Sequence, residues 1–458
     1  MPPTGTLTIV GLGPGNPGAR TVAAQRALDA ATSIILRTGI HPGLDDHSTD
    51  PRVSTCDDLY ERAAQFDDLY DAIAERVCDA ARGAAPGEVV FAVPGHPRFG
   101  EQSVGRILAR SQAGDIDVRM VGSESAIDAV ANALGIDPMA DEIQLLDGAS
   151  LAACVDEEPF AGGRFAFTPL RPLFVGQVYN THVATGVKLA LSRLLPDDHP
   201  ITIVRAAGVA GEERILPCAL YELDHRPVDH LTSVWVPALG ELDAVRDPRT
   251  LQHIVARLRA PRGCPWDRAQ THATLRDAII NEAYEVVDAI DSDDEVNLAE
   301  ELGDLFLTVA MHAQLAEENG TFTLEDVYEG IARKIVRRHP HVFGDVTAND
   351  PDAVVQTWNQ VKAAEKAARA APKREKAPDG QPHAMPALVR AIRVLQKHPL
   401  SDTDLANPDT TSGDMLLVAV ARVVAAGDDP DAVLRDALAR HVDRQHTESI
   451  QEKEKGRT

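Results

Sequence analysis

The sequence predicts a chain of two parts, an α/β region over roughly the first 240 residues and an almost wholly helical region after it. Three observations carry that prediction. Short β-rich runs alternate with helical stretches up to Pro237, separated by glycine and proline turns. From Asp247 to Lys366 the apolar period is helical throughout, broken only by PRGCPWD, ENGTFT and RRHPHVFGD. The length, 458 residues, is too great for one ordinary core.

Examples of the expected strands are Leu7–Val10, Ser33–Leu36, Val89–Val93, Val118–Val121, Ile201–Val204 and Ser233–Val236. The first leads into a glycine-rich turn, Gly11-Leu12-Gly13-Pro14-Gly15. A strand entering such a loop points to a nucleotide-type ligand. The dinucleotide fingerprint is not met, because Asn16 stands where the third glycine belongs and Arg37 follows the second strand in place of an acid. By itself the loop is equally well read as a tight turn.

The helical region carries an acidic run. Between Glu282 and Asp304 lie ten acidic residues and no Lys or Arg, and the next basic residue after Arg276 is Arg333. A run of this kind is ordinarily a solvated helix face. Here Glu282 and Glu285, and then Glu301 and Asp304, are spaced i, i+3, so each pair shares a face. Glu282 falls on the apolar stripe of Leu275, Ile279, Val286 and Ile290, and Glu301 on that of Leu298, Leu305 and Thr308. The carboxylates are therefore expected at a helix–helix interface, where mutual repulsion calls for divalent cations or protons. All-oxygen ligands favour Mg²⁺, Mn²⁺ or Ca²⁺ over Zn²⁺, and an acidic pocket without His or Cys suits Mg²⁺ carried in with phosphates. Downstream, Thr323 to Asp326 reads as a capping-box start. Lys334 and Arg338 lie four apart on one helix, and Trp358 and Lys362 repeat that spacing on the next. Each taken alone is ordinary, a cation at a helix C-terminus or a core aromatic.

A repeat follows. GDLFLTVA at Gly303–Ala310 recurs as GDMLLVAV at Gly413–Val420, and ARKIV at Ala332–Val336 as ARHVD at Ala439–Asp443. Thr410 and Thr411 replace the paired acids, so residues 397–446 are expected to be a shortened, inactive second half that packs through Leu416, Leu417, Val420, Val433, Leu434 and Leu438. Residues 363–386, rich in Ala, Lys, Arg and Pro, are expected to fray into a linker, and 447–458 to form a mobile tail.

The formal net charge of −25 argues against nucleic acid as a partner. No apolar run is long enough to span a bilayer, no leader peptide is evident, and the five scattered cysteines suit a reducing, cytoplasmic setting.

Taken in order, Cys264-Pro265-Trp266-Asp267, Gln270 to His272, the two carboxylate pairs and RRHPHVF at Arg337–Phe343 resemble the MazG family of nucleoside-triphosphate pyrophosphohydrolases, over about Leu251 to Gln396. The resemblance implies an all-α, usually dimeric bundle that converts nucleoside triphosphates to monophosphate and pyrophosphate. It places Mg²⁺ on Glu282, Glu285, Glu301 and Asp304, and substrate on Lys334, Arg338, Trp358, Lys362 and Trp266. Asn281 departs from the pattern, where another Glu is common.

The front region, with GLGPG, Val93-Pro94-Gly95-His96-Pro97 and VGSESA at Val121–Ala126, is similar to the tetrapyrrole (corrin/porphyrin) methylase family. The resemblance implies two α/β lobes with S-adenosylmethionine between them, held by Gly11, Gly13, Pro14, Gly15, Pro94, Gly95, His96, Ser125 and Ala126. Members often carry Asp at the position of His96. The two-domain order is similar to YabN-type fusions. The expected limits are 1–243 for the methylase-like domain and 244–396 for the MazG-like domain.

Overall fold

The computed structural model describes residues 6–44, 49–62, 66–84, 87–112, 116–158, 160, 167–347, 350–368, 385–401 and 411–455. Most of the expected linker, Thr410 and the last three residues of the expected tail lie outside that set.

The chain forms two compact units, Met1–Tyr328 and Glu329–Thr458, each taken by itself below. The first begins with β1 (Thr6–Gly11), α1 (Val22–Ala30), β2 (Ser33–Leu36), β3 (Val53–Thr55), α2 (Asp57–Arg62), α3 (Phe66–Gly83), β4 (Glu88–Val93), α4 (Gln102–Gln112), β5 (Asp117–Val121) and α5 (Ala126–Leu134). The strands form a parallel sheet in the order β3-β2-β4-β1-β5. A sheet covered on both faces needs apolar residues at successive positions. On β4, Val89, Phe91 and Val93 face one core cluster, and Val90 and Ala92 the other. The first cluster is built on α3 and α4, the second on α1.

A second lobe follows: β6 (Gln144–Asp147), α6 (Gly148–Glu157), β7 (Leu173–Gly176), α7 (Thr181–Leu191), β8 (Pro200–Arg205), β9 (Arg214–Ala219) and β10 (Thr232–Val236). Its sheet runs β6-β7-β10-β8-β9, parallel only between β6 and β7. The α6 and α7 helices pack closely, and Gly186 makes this geometry available. A Cβ there would lie 2.5 Å from the Ala152 Cα. One bridge between the lobes is the Gln177 side-chain amide, which donates to the Gly100 carbonyl at 3.0 Å.

Helices then take over: α8 (Pro248–Arg259), α9 (Pro265–Arg268), α10 (Arg276–Asp291), α11 (Glu295–Glu318) and α12 (Leu324–Arg338). Asp247 caps α8, accepting from the Arg249 amide at 2.9 Å and pairing with its guanidinium. Thr323 and Asp326 form the expected reciprocal cap of α12. The core here is small: Val255, Leu275, Ala310, Met311 and Leu315. The change from sheet to helix falls between Val236 and Pro248, as the sequence predicts, yet the division into compact units falls inside α12.

The second unit continues with α13 (Pro340–Phe343), α14 (Pro351–Ala368), α15 (Ala387–Lys397), α16 (Ser412–Ala425) and α17 (Pro430–Lys455). The backbone of α17 is helical to Lys455. The C-terminal apolar stripe is covered only in part within one chain: Val418 and Ala421 are the buried residues of α16, while Leu416, Val433, Leu434 and Leu438 are exposed. A stripe of correct period still needs a surface to pack against.

Candidate functional site

Two places in the first unit and one in the second gather chemically capable side chains. The first is a cavity of about 930 Å³ in the α/β region, lined by residues of both lobes. The loop after β1 forms part of its wall. The Leu12 amide donates to the Val93 carbonyl, and Gly13 and Gly95 exchange backbone hydrogen bonds at 3.2 and 2.8 Å. Gly11 allows this approach, since a Cβ there would sit 2.5 Å from the Gly95 oxygen. The Gly13 carbonyl accepts from His41 Nε2 at 3.1 Å. Burial holds His41 down to about 4, so its ring is neutral and can donate there.

Of the residues expected to hold a cofactor, Pro14, Pro94, Gly95, His96 and Ala126 line the cavity. Gly11, Gly13, Gly15 and Ser125 do not line it. Gly15 packs against Val209 and Pro42, and the Ser125 hydroxyl donates to Asp128 at 2.6 Å as part of the cap of α5. His96 Nδ1 accepts from the Arg98 amide at 3.1 Å, and its ring lies where a side chain on Gly122 would begin. Two lining residues, Gln177 at φ 59° and Ala206 at φ 51°, hold left-handed backbone conformations without being glycine, the kind of strain that collects at ligand sites.

The cavity's polar centre gave no local sequence signal. Arg37 Nε lies 3.0 Å from Glu101 Oε2, and the Glu101 side chain is only 4% exposed. The guanidinium sits 5.7 Å from the Tyr60 ring centre and hydrogen-bonds Tyr70. Burial pushes the Tyr60 phenol up to about 12 and raises those of Tyr70 and Tyr179, so all three stay protonated. These partners are separated by tens of residues in sequence, and only the fold brings them together.

The second place is the face shared by α10 and α11. Carboxylate oxygens of Glu282, Glu285 and Glu301 lie within 4.8 Å of one another. Asp304 is close enough to raise the pKa of both Glu282 and Glu301. For each of those two, partial burial is the larger cause and like charge the next, with Glu285 acting on both. Among the described residues no Lys or Arg forms an ion pair with any of the four. The expected interface is thus realised in part: Glu282 and Glu301 are half-buried, but Glu285 and Asp304 are exposed. So is the apolar flank, with Tyr284, Val287, Ile290, Leu302 and Phe306 open to solvent and Ile290 56% exposed. Of the stripe read on α10, Leu275 is buried, Ile279 and Val286 are half-buried and Ile290 is exposed. Trp266, on α9, is 68% exposed.

The third place lies wholly in the second unit. The Arg338 guanidinium stands 5.1 Å from the Trp358 ring centre, and His339 meets that ring edge-on at 5.0 Å. Glu365, unnoticed in the sequence, accepts from Arg338 Nη2 at 2.7 Å and from Arg337 Nε at 2.7 Å. Those bonds, Arg338's first, hold its carboxyl down to about 2. Lys334 is half-buried and Lys362 exposed. Asp414, the remnant of the repeat, has a local partner: it bonds the Thr411 hydroxyl, and its amide donates back to Thr411 Oγ1 at 3.2 Å. It caps α16.

Comparison with known proteins fits these sites. Residues 6–224 match the profile of the tetrapyrrole (corrin/porphyrin) methylases, and residues 270–343 that of the MazG nucleotide pyrophosphohydrolase domain. YabN of Bacillus subtilis (strain 168), an uncharacterised protein, is 38% identical over 397 residues, 86% of this chain and 77% of that one. The chain belongs to the YabN family. It carries a tetrapyrrole methylase domain followed by a MazG domain, as its sequence motifs imply. The nucleoside triphosphate pyrophosphohydrolase/pyrophosphatase MazG of Thermotoga maritima is 47% identical over 116 residues, 25% of this chain and 44% of that one. The nucleoside triphosphate pyrophosphohydrolase of Escherichia coli (strain K12) is 43% identical over 145 residues, 31% and 54%. The chain thus spans about half the length of those two. Uroporphyrin-III-C-methyltransferase from Thermus thermophilus covers 52% of the chain and 94% of its own length at 19% identity and a TM-score of 0.38. The MazG match takes in the four carboxylates, Lys334 and Arg338, and ends before Trp358 and Lys362.

Proposed function

We propose that the MazG domain of this chain hydrolyses nucleoside triphosphates to monophosphate and pyrophosphate with Mg²⁺, Mn²⁺ serving as a substitute. The observation that carries this reading is the carboxylate trio within 4.8 Å, without a cationic partner, inside the matched MazG segment. Raised pKa values at Glu282 and Glu301 are what a divalent-cation site looks like when only its acids are considered. Glu282, Glu285, Glu301 and Asp304 are the ligands. A cation held there supplies Lewis acidity, polarising phosphate oxygens and easing the ionisation of water. Glu282 or Glu285 takes the proton of the attacking water. Lys334, Arg338 and Lys362 are assigned to offset charge on the departing pyrophosphate, Trp358 to stack on the base, and Trp266 to bind substrate. Broad base selectivity follows from stacking. The exposed apolar flank of α10 and α11 supports a homodimer formed through the helical region.

The α/β cleft is read as a site for S-adenosylmethionine. Its glycine-built wall and its volume fit a small molecule of that size. The cofactor supplies an activated methyl group; Pro14, Pro94, Gly95, His96 and Ala126 supply the wall against which it rests. Domain limits of 1–243, 244–396 and 397–446 accompany this reading, with the last segment inactive. The net charge of −25 supports a reading without a nucleic-acid partner; no described helix is long and apolar enough to cross a bilayer. Five cysteines without a disulfide support a cytoplasmic setting.

The deciding experiment incubates the full chain with a panel of nucleoside triphosphates and Mg²⁺ and identifies products. Monophosphate and pyrophosphate in equal amounts are expected. Orthophosphate release, or no turnover across the panel, overturns the assignment. Calorimetry with S-adenosylmethionine tests the cleft separately.

A further inference from the structure

The cleft's charges are badly matched to a polycarboxylated ring. Among the described residues that line it, Arg37 is the single Lys or Arg, against Asp57, Glu101, Asp147 and Asp229. That one guanidinium is already committed: Glu101 lies 3.0 Å from its Nε and is itself fixed by the Ser103 hydroxyl at 2.7 Å. Asp229 is balanced from outside the lining by Arg205 at 2.7 Å. Asp57 and Asp147 have no such partner among the described residues. Asp57 accepts from the Gly39 amide at 2.9 Å and Asp147 from the Ser150 amide at 2.7 Å, bonds that orient each carboxylate without cancelling its charge. His41 is neutral, as burial requires.

The walls are aromatic. Tyr60, Tyr70, Tyr179, Phe99 and Phe174 all line the cavity. The Tyr60 hydroxyl is buried and lacks a hydrogen-bond partner among the described residues, an arrangement that asks for one from a ligand. Aromatic faces beside unbalanced carboxylates attract cations through both the ring quadrupole and direct charge, and they penalise an anion that must be desolvated beside them.

We infer that the part of the cleft not taken by the cofactor accepts a ligand bearing an amine or other cationic nitrogen on a flat apolar body, and selects against carboxylates on that ligand. This departs from the substrate chemistry in the domain's family name, since the uroporphyrin-type members of that class carry many carboxylates. The inference rests on reading the cleft as a ligand site, and it goes beyond the assignment of a cofactor there.

The test uses the full chain and two probes with the same phenol ring and opposite side-chain charge, tyramine and 4-hydroxyphenylacetate. Affinity is measured by calorimetry with and without S-adenosylhomocysteine. Tyramine is expected to bind about tenfold more tightly than the carboxylate. Asp57→Asn with Asp147→Asn keeps both backbone hydrogen bonds and removes both charges; the preference is then expected to fall to within about threefold. Glu101→Gln, which releases Arg37, is expected to strengthen 4-hydroxyphenylacetate about tenfold. Equal affinities in the wild-type chain overturn the inference, as does silence from both probes at about 10 mM. A preference untouched by the double variant does so too, because it would belong to the acidic surface at large. S-adenosylhomocysteine titrated alone reports on the cofactor reading independently, so failure of one is distinguishable from failure of the other.

Discussion

In the α/β cleft Arg37 is packed against Glu101 and bonded to Tyr70, whereas on α10 and α11 Glu282, Glu285 and Glu301 face one another without a cation. The apolar surroundings differ in the same sense. Around the parallel sheet, Leu7, Ile9, Val89 and Phe91 are fully buried, while beside the carboxylates Tyr284, Ile290 and Leu302 are open to solvent. One region pairs its charge within a single chain; the other, in the reading proposed above, is completed by an ion and by a second surface. Low-dielectric burial demands that charges be paired, whereas a half-exposed cluster can hold its repulsion until a ligand relieves it.

The sharpest way to break this comparison is to remove one acid. Glu282→Gln or Glu301→Gln should lower monophosphate release by more than about 100-fold, because losing even an outer-shell partner of a metal ligand costs 10–100-fold. Wild-type turnover in either variant would leave the cluster as an acidic surface only. A second test addresses the open apolar flank. Ile290→Ser with Phe306→Ser should abolish the concentration dependence of Tm and yield a monomer by sedimentation, since binding of a partner copy stabilises by mass action. A wild-type chain that is already monomeric at micromolar concentration would show that the flank has another occupant.

A smaller effect concerns pH. Glu282 and Glu301 have pKa values raised above 4.5 in the folded chain. Their ionisation therefore opposes folding: stability is full below the unfolded value and is lost as pH rises through the folded one. In EDTA, Tm should rise as pH falls from 7 toward 5, and Mg²⁺ should flatten that slope. In the same buffer Glu301→Gln should melt higher than wild type at pH 7. A metal-free profile with no such slope would mean the acids are too solvated to feel one another. The smallest effect is at Asp414. With its role confined to the start of α16, Asp414→Ala should cost no more than about 1 kcal/mol and leave hydrolysis unchanged. A folded but inactive Asp414→Ala protein would make the C-terminal copy catalytic. Truncation after Gln396 should lower Tm while keeping turnover.

Where chemistry depends on spacing along one helix, the sequence was readable. Glu282 with Glu285, the cap of α12 and the six expected strands are all local patterns, and each is found in place. The strands that escaped notice, β3, β6, β7 and β9, are short or poorly buried, and their registers depend on neighbours far along the chain. Glu365, Tyr60 and Glu101 escaped for a related reason. Their meaning lies in a partner 27, 23 or 64 positions away, and nothing in the local pattern marks one Glu or Tyr as the residue that meets an arginine. The depth of the carboxylates was misjudged because a helical stripe shows which residues share a face, while a second surface decides whether that face is covered.

Gly122 and His96 form a pair that must change together. A Cβ at position 122 would begin 2.7 Å from His96 Nε2, so no chain can gain a side chain at 122 while the imidazole keeps its place. The order of substitutions is thereby constrained: exchanging His96 for a shorter residue opens position 122 to alanine, but alanine at 122 first would drive the ring out and disturb the Arg98 amide that it anchors. A side chain at position 122 thus calls for the imidazole to move or for a shorter residue at 96.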